Sequence, residues 1–220
     1  YEKYTDSIAY EKDKLYWLNK LKDIPPAPVI NVVSGSPASE PKFIRYKYSL
    51  SLDKYLKFKE RAQKYKVTPN VALITAYASV LEKWSESSRF SLNLTLLNRM
   101  DAGEEIDTIV GDFTTTSLLN VEMEGKKSFC EYCSSIGNEL FNNMEHRLFS
   151  GVNVVREYAK IKNSDMALFP YVFTSAIGQI KSSLKGKMTD GCVSSTPQVF
   201  IDCQAMDGDF GLSINWDVRQ

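Results

Sequence analysis

The most telling residues are polar side chains set in apolar strand sequence. Asp202 follows Val199-Phe200-Ile201, where an alternating strand normally avoids an acid. A carboxyl group there is costly to bury unless it is paired or put to use. A salt bridge or strand-end anchor is one use, and proton transfer is the other. Thr174 and Ser175 follow Tyr171-Val172-Phe173 in the same way, placing two hydroxyls at the end of a second apolar run. An acid and hydroxyls carried on strands are the raw material of general acid–base chemistry.

Other candidates read as structural. Cys130 and Cys133 have Cys-x-x-Cys spacing, but Phe129, Cys133, Ile136, Leu140 and Met144 share one helical face, and no second pair accompanies them. That pattern is core packing rather than a metal or redox site. His146 is the sole imidazole, so chemistry needing two histidines cannot be completed within this chain. It lies near a helix end without a Gly-x-Ser-x-Gly elbow to supply a nucleophile, which favours a capping or core hydrogen-bond role. Gly186-Lys187 lacks the upstream glycine of a phosphate loop and is followed by Met188. The basic face from Lys54 to Lys66 is interrupted by Asp53 and Glu60, as on a solvated helix.

Composition narrows the classes further. The 220 residues carry 27 basic and 27 acidic side chains, which argues against a nucleic-acid backbone as the main partner. The longest dense apolar run, Val71 to Leu81, is too short for a bilayer span of about 20 residues, and no basic-then-apolar leader stands at the start. Four cysteines in a domain of this size fit a reducing, cytoplasmic setting better than a disulfide framework. A start at Tyr1 suggests a segment of something longer.

These residues must be positioned by a mixed set of elements. Residues 1–24 form a helix carrying Ile8, Leu15, Trp17, Leu18 and Leu21 on its apolar period, ended by Pro25, Pro26 and Pro28; a proline-rich linker runs to 41. Ile44, Tyr46, Tyr48 and Leu50 alternate with Arg45, Lys47 and Ser49 as a half-buried strand. Ser51 caps a helix to about Lys66, with Tyr55, Leu56, Ala62 and Tyr65 inward. Thr68-Pro69 opens a deeply buried helix to Trp84. Phe90 to Leu96 is a strand ending at Asn98-Arg99, and Gly111-Asp112-Phe113 opens another through Val121. Residues 128–149 form an amphipathic helix, broken at Ser150-Gly151 before a shorter one to Ile161. Tyr171 to Phe173, Pro197 to Ala205 and Phe210 to Trp216 complete the strands, the last two joined by a turn over Met206 to Asp209. The implied class is α/β, a mixed sheet with helices packed on it.

Four blocks in order carry a resemblance. They are Thr68-Pro69 through Leu81 to Trp84; Gly111-Asp112-Phe113-Thr114; Pro170-Tyr171-Val172-Phe173-Thr174-Ser175; and Thr196-Pro197-Gln198-Val199-Phe200-Ile201-Asp202, followed after 13 residues by Trp216-Asp217. Together they resemble the heterocyclization domains of nonribosomal peptide synthetases, relatives of the condensation domains. The likeness spans nearly the whole chain. It implies the C-terminal lobe of a chloramphenicol-acetyltransferase-like pair, with 1–41 as lead-in helix and linker and 42–220 as the α/β core. The family's Asp-x-x-x-x-Asp motif belongs to an N-terminal lobe absent here. The spacings Asp107 to Asp112 and Asp202 to Asp207 match it only by coincidence.

The resemblance implies that a carrier-bound acyl or peptidyl thioester condenses with carrier-bound Cys, Ser or Thr, and that the side chain then closes a thiazoline or oxazoline ring. It casts Asp202 as the proton relay and Thr174 as its hydrogen-bonding partner. Asn98, Gln198 and Ser175 are cast as substrate-binding residues, and Asp112 and Asp217 as structural, holding strand ends by backbone hydrogen bonds. The implied partners are the N-terminal lobe and upstream and downstream peptidyl carrier proteins, whose phosphopantetheine arms are the only cofactors; no metal, nucleic acid or membrane is called for. An isolated lobe would be inactive. An ordinary condensation domain and a degenerate, non-catalytic carrier-docking lobe are the alternatives.

Overall fold

The computed structural model describes residues 5–30, 42–97, 111, 113–163, 169–178 and 199–220. Helix α1 (Ile8–Lys20) begins at Ser7, whose hydroxyl accepts from the Tyr10 N–H, and tightens into a 3-10 turn over Leu21–Asp23. Strand β1 (Phe43–Leu50) leads into α2 (Leu52–Lys64) and α3 (Pro69–Trp84). The start of α3 has the expected chemistry: Thr68 accepts from the Val71 N–H and Pro69 occupies the first turn, where no donor is needed. Strands β2 (Arg89–Leu97) and β3 (Thr114–Glu122) precede α4 (Phe129–Glu145), which starts with a reciprocal capping box between Ser128 and Glu131. Helix α5 (Gly151–Lys162) and strands β4 (Tyr171–Ala176), β5 (Ile201–Gly208) and β6 (Gly211–Arg219) follow.

The six strands form one sheet in the order β1-β6-β5-β4-β2-β3. Strand β4 runs parallel to β5 and to β2, and the other pairings are antiparallel. On one face α3 and α4 bury Ile74, Tyr77, Leu81, Cys133 and Ile136 against Phe90, Leu92, Phe173 and Cys203. On the other, α1 and α5 bury Trp17, Leu21, Val154 and Tyr158 around Leu118 of β3. Among the described residues no helix is long and apolar enough to cross a membrane.

Several expectations about burial are corrected. Ile8 and Leu15 of α1 are exposed, at 91% and 60%, while Asp13 is buried at 4%. Asp13 tolerates burial because its Oδ1 lies 3.0 Å from His146 Nδ1 and its Oδ2 accepts from the Leu148 N–H. The ring of Tyr16 stacks on His146, whose carbonyl accepts from Trp17 Nε1 at 2.8 Å. His146 therefore fastens α1 to the end of α4. In β1 the apolar side chains Ile44, Tyr46 and Tyr48 are the exposed set, because β1 is an edge of the sheet. Leu56 and Tyr65 of α2 are also exposed, leaving Tyr55 and Ala62 as its buried residues. The hairpin turn is tighter than the sequence suggests. Gly208 pairs with Gly211 around Asp209-Phe210, and Gly211 has φ +105°, a conformation open to glycine.

Gly151 has a different requirement. A Cβ there would lie 2.2 Å from the Thr116 carbonyl oxygen, so only glycine lets the start of α5 approach β3 this closely. Gly151→Ala should cost about 1–3 kcal/mol or more by overpacking, read as a lowered denaturant midpoint. A midpoint equal to that of the unmodified chain would show that α5 can shift freely.

Candidate active site

Strands β4 and β5 lie side by side in parallel register, with Val172 opposite Asp202 and Thr174 opposite Gln204. Alternation sends Phe173, Cys203 and Ala205 into the helix-covered core and turns Thr174, Asp202 and Gln204 to the other face. There the Thr174 hydroxyl donates to Asp202 Oδ1 at 3.1 Å, and the Gln204 side-chain N–H donates to Asp202 Oδ2 at 2.8 Å. The two residues cast as catalytic are in direct contact.

Next to them lies a buried ion pair. Asp217 of β6 is 1% exposed and takes a bidentate grip from Arg45 of β1, with Nε at 2.7 Å and Nη2 at 2.6 Å. Gln204 also donates to Asp217 Oδ2 at 3.0 Å. The expectation that Asp217 holds a strand end through backbone hydrogen bonds is corrected, since its partners are side chains. Asp202 has no salt-bridge partner among the described residues. Among the described residues Arg45 pairs with Asp217, and Asp202 has only neutral hydrogen-bond partners. Burial, aided by the nearby Asp217 charge, raises the Asp202 pKa above the ordinary carboxylate value, while Gln204, Thr174 and Arg45 pull it back in part. Such a group can accept and return a proton close to neutral pH more readily than an exposed aspartate.

Ser175 is not brought to this face. Its hydroxyl donates to Asn70 Oδ1 at 2.6 Å, and it lines a separate cavity of about 230 Å3 with Ile74, Leu140 and Phe173. Asn98, Gln198 and Asp112 lie outside the described residues, as does the polar stretch 101–107. An apolar cavity of about 420 Å3 between α3 and the sheet is lined by Tyr77, Phe173, Cys203 and Trp216, and among the described residues no Asp, Glu, His, Lys or Arg lines it. Cys203 there is pushed up to about 12 by burial, and Cys133 is likewise buried with a raised pKa, so neither thiol is poised as a nucleophile. Among the described residues no group of three or more His, Cys, Asp or Glu side chains stands where it could hold a metal ion.

Gln204 and Arg45 are the site residues that sequence reasoning missed. Gln204 carried a usable signal, because it is two positions beyond Asp202 and so shares its strand face.

Comparison with known proteins places this geometry in a family context. The Condensation domain family profile matches residues 1–198. The chain is 33% identical over 217 residues to pyochelin synthetase PchF of Pseudomonas aeruginosa (strain UCBPP-PA14), covering 97% of this chain and 12% of that protein. It is 30% identical over 223 residues to phenyloxazoline synthase MbtB of Mycobacterium sp. (strain MCS), covering 98% and 19%. The chain thus spans less than a fifth of the length of either relative. Among solved structures, the cyclization-docking bidomain of the nonribosomal peptide synthetase EpoB from Sorangium cellulosum superposes with a TM-score of 0.83 at 29% identity, over 100% of this chain and 45% of that one.

Proposed function

The chain belongs to the condensation-domain family, and from that premise we propose that it is the C-terminal lobe of a heterocyclization domain. In this reading a carrier-bound acyl or peptidyl thioester is joined to carrier-bound Cys, Ser or Thr, and the new amide is closed to a thiazoline or oxazoline. The N-terminal lobe and two phosphopantetheine-bearing carriers are its partners. The observation that carries the reading is the Thr174–Asp202 contact, a half-buried acid held by neutral donors on the sheet face opposite Phe173 and Cys203. The names of the relatives agree with it, since one is a phenyloxazoline synthase and one matched structure is a cyclization domain.

Ring closure makes two proton demands. As the thiol or hydroxyl adds to the amide carbon, its proton must reach the former carbonyl oxygen. As that oxygen then departs as water, it needs a second proton, and the amide nitrogen gives one up when the C=N bond forms. The Asp202 carboxylate takes each proton and delivers it, returning to its starting state after each transfer. Thr174 keeps Oδ1 facing the reacting centre. Among the described residues Arg45 is the nearby cation and it pairs with Asp217, so none is in direct contact with Asp202.

The test uses the chain joined to its N-terminal lobe and supplied with loaded carriers, with products followed by mass spectrometry. A product one water lighter than the linear amide supports ring closure, and linear amide alone would assign an ordinary condensation domain. A hydrogen bond to a charged group is worth about 1.5–3 kcal/mol. Thr174→Ala should therefore slow ring closure by roughly 10- to 100-fold while linear amide still accumulates. Loss of both products would give Thr174 a folding or binding role instead.

A further inference from the structure

We infer that Gln204 is a positioning residue for ring closure, a neutral bridge that holds the Asp202 carboxyl in place while keeping it apart from the Arg45 charge. This rests on the function proposed above.

The geometry fixes which way the Gln204 amide points. Its nitrogen lies 2.8 Å from Asp202 Oδ2 and 3.0 Å from Asp217 Oδ2, and its oxygen lies 3.4 Å from Arg45 Nη2. Carboxylates offer only acceptors and a guanidinium only donors. Turning the amide over would set its oxygen against two carboxylates and its N–H groups against the guanidinium. Arg45 and Asp217 therefore hold the donor end of Gln204 toward Asp202. The network spans four adjacent strands, from Arg45 on β1 through Asp217 on β6 and Gln204 and Asp202 on β5 to Thr174 on β4.

Two consequences follow for Asp202. Its carboxyl is gripped at both oxygens, Oδ1 by Thr174 and Oδ2 by Gln204, so its plane cannot rotate freely. Both grips are neutral. A guanidinium in place of the amide would stabilise the ionised form, making Asp202 a weaker base and leaving less of its protonated form to donate. The arrangement pairs the cation with Asp217 and leaves Asp202 held by neutral partners, with Arg45 acting on it only across the network.

The test compares Gln204→Met, which keeps the side-chain length and removes the donor, and Gln204→Glu, which keeps the shape, with Asp202→Asn in the complete synthetase. Single-turnover ring and linear-amide yields are recorded across a pH series. For Gln204→Met, ring closure should fall roughly tenfold while linear amide still forms. The rising limb of its pH profile should move to higher pH, because a hydrogen bond favouring the ionised carboxyl is gone. Gln204→Glu should move the limb the same way by adding a third carboxyl beside Asp202. If both variants keep the unmodified ring yield and limb while Asp202→Asn blocks closure, the inference is overturned and the relay stands. Loss of linear amide together with the ring would also overturn it, showing a merely structural glutamine. If Asp202→Asn itself closes rings normally, the proposed function fails and this inference falls with it.

Discussion

Arg45→Met should destabilise the fold by about 3–5 kcal/mol, the usual cost of stranding one member of a buried ion pair. The guanidinium contributes two short hydrogen bonds to Asp217, which is 1% exposed and, among the described residues, otherwise accepts from the neutral Gln204 amide. Methionine preserves much of the volume but leaves the carboxylate uncompensated. The pair Arg89–Glu122 provides the contrast, because its side chains are 46% and 58% exposed. Removing Arg89 should change stability by no more than about 1 kcal/mol. Urea midpoints of the two variants check this directly. Changing Arg45→Met and Asp217→Leu together should recover most of the loss, since two apolar groups replace a buried pair at little cost. Equal midpoints for the Arg45 and Arg89 variants would show that the Arg45–Asp217 pair contributes no more than an exposed one.

How much of this was legible in the sequence depended on whether the controlling contact was local. Asp202 and Thr174 stood out because each breaks an apolar strand run, and the parallel pairing of β4 and β5 brings them into contact. The Thr68-Pro69 helix start was also legible, since a cap and its helix lie within a few residues. Arg45 was hidden for the opposite reason. It is 172 residues from Asp217, and in isolation it looks like the solvent side of an amphipathic strand. Only the sheet order, with β1 beside β6 and β6 beside β5, brings it to the site. The same order exposes Ile44, Tyr46 and Tyr48: they lie on the face that carries α3, beside Val218, Trp216 and Ile214, but on an edge strand where they stay 44–55% exposed. In α1, hydrophobic period alone placed Ile8 and Leu15 inward; the contact of Asp13 with His146 turned the helix otherwise.

Asp202→Asn is the second large effect, and it separates the two reactions. The side-chain oxygen of asparagine can accept from Gln204 while its N–H donates to the Thr174 hydroxyl, so both local hydrogen bonds can be kept, but the group can no longer take up and return a proton. General acid–base catalysis contributes about 10²–10⁴-fold, and ring closure should fall by that factor while the linear amide accumulates. The pH profile adds a signature. Burial raises the Asp202 pKa, so the ionised form that accepts the nucleophile's proton gains population at higher pH than an exposed aspartate would. Ring closure in the unmodified domain should rise with pH through that interval, and the asparagine variant should lack the limb.

The ratio of ring to linear amide after one turnover, measured for Asp202→Asn beside the unmodified domain, tests the assignment most directly. A ratio at least roughly 100-fold lower with undiminished amide is the expected result. An unchanged ratio would show that protons reach the closing ring by a route in which this carboxyl group takes no part.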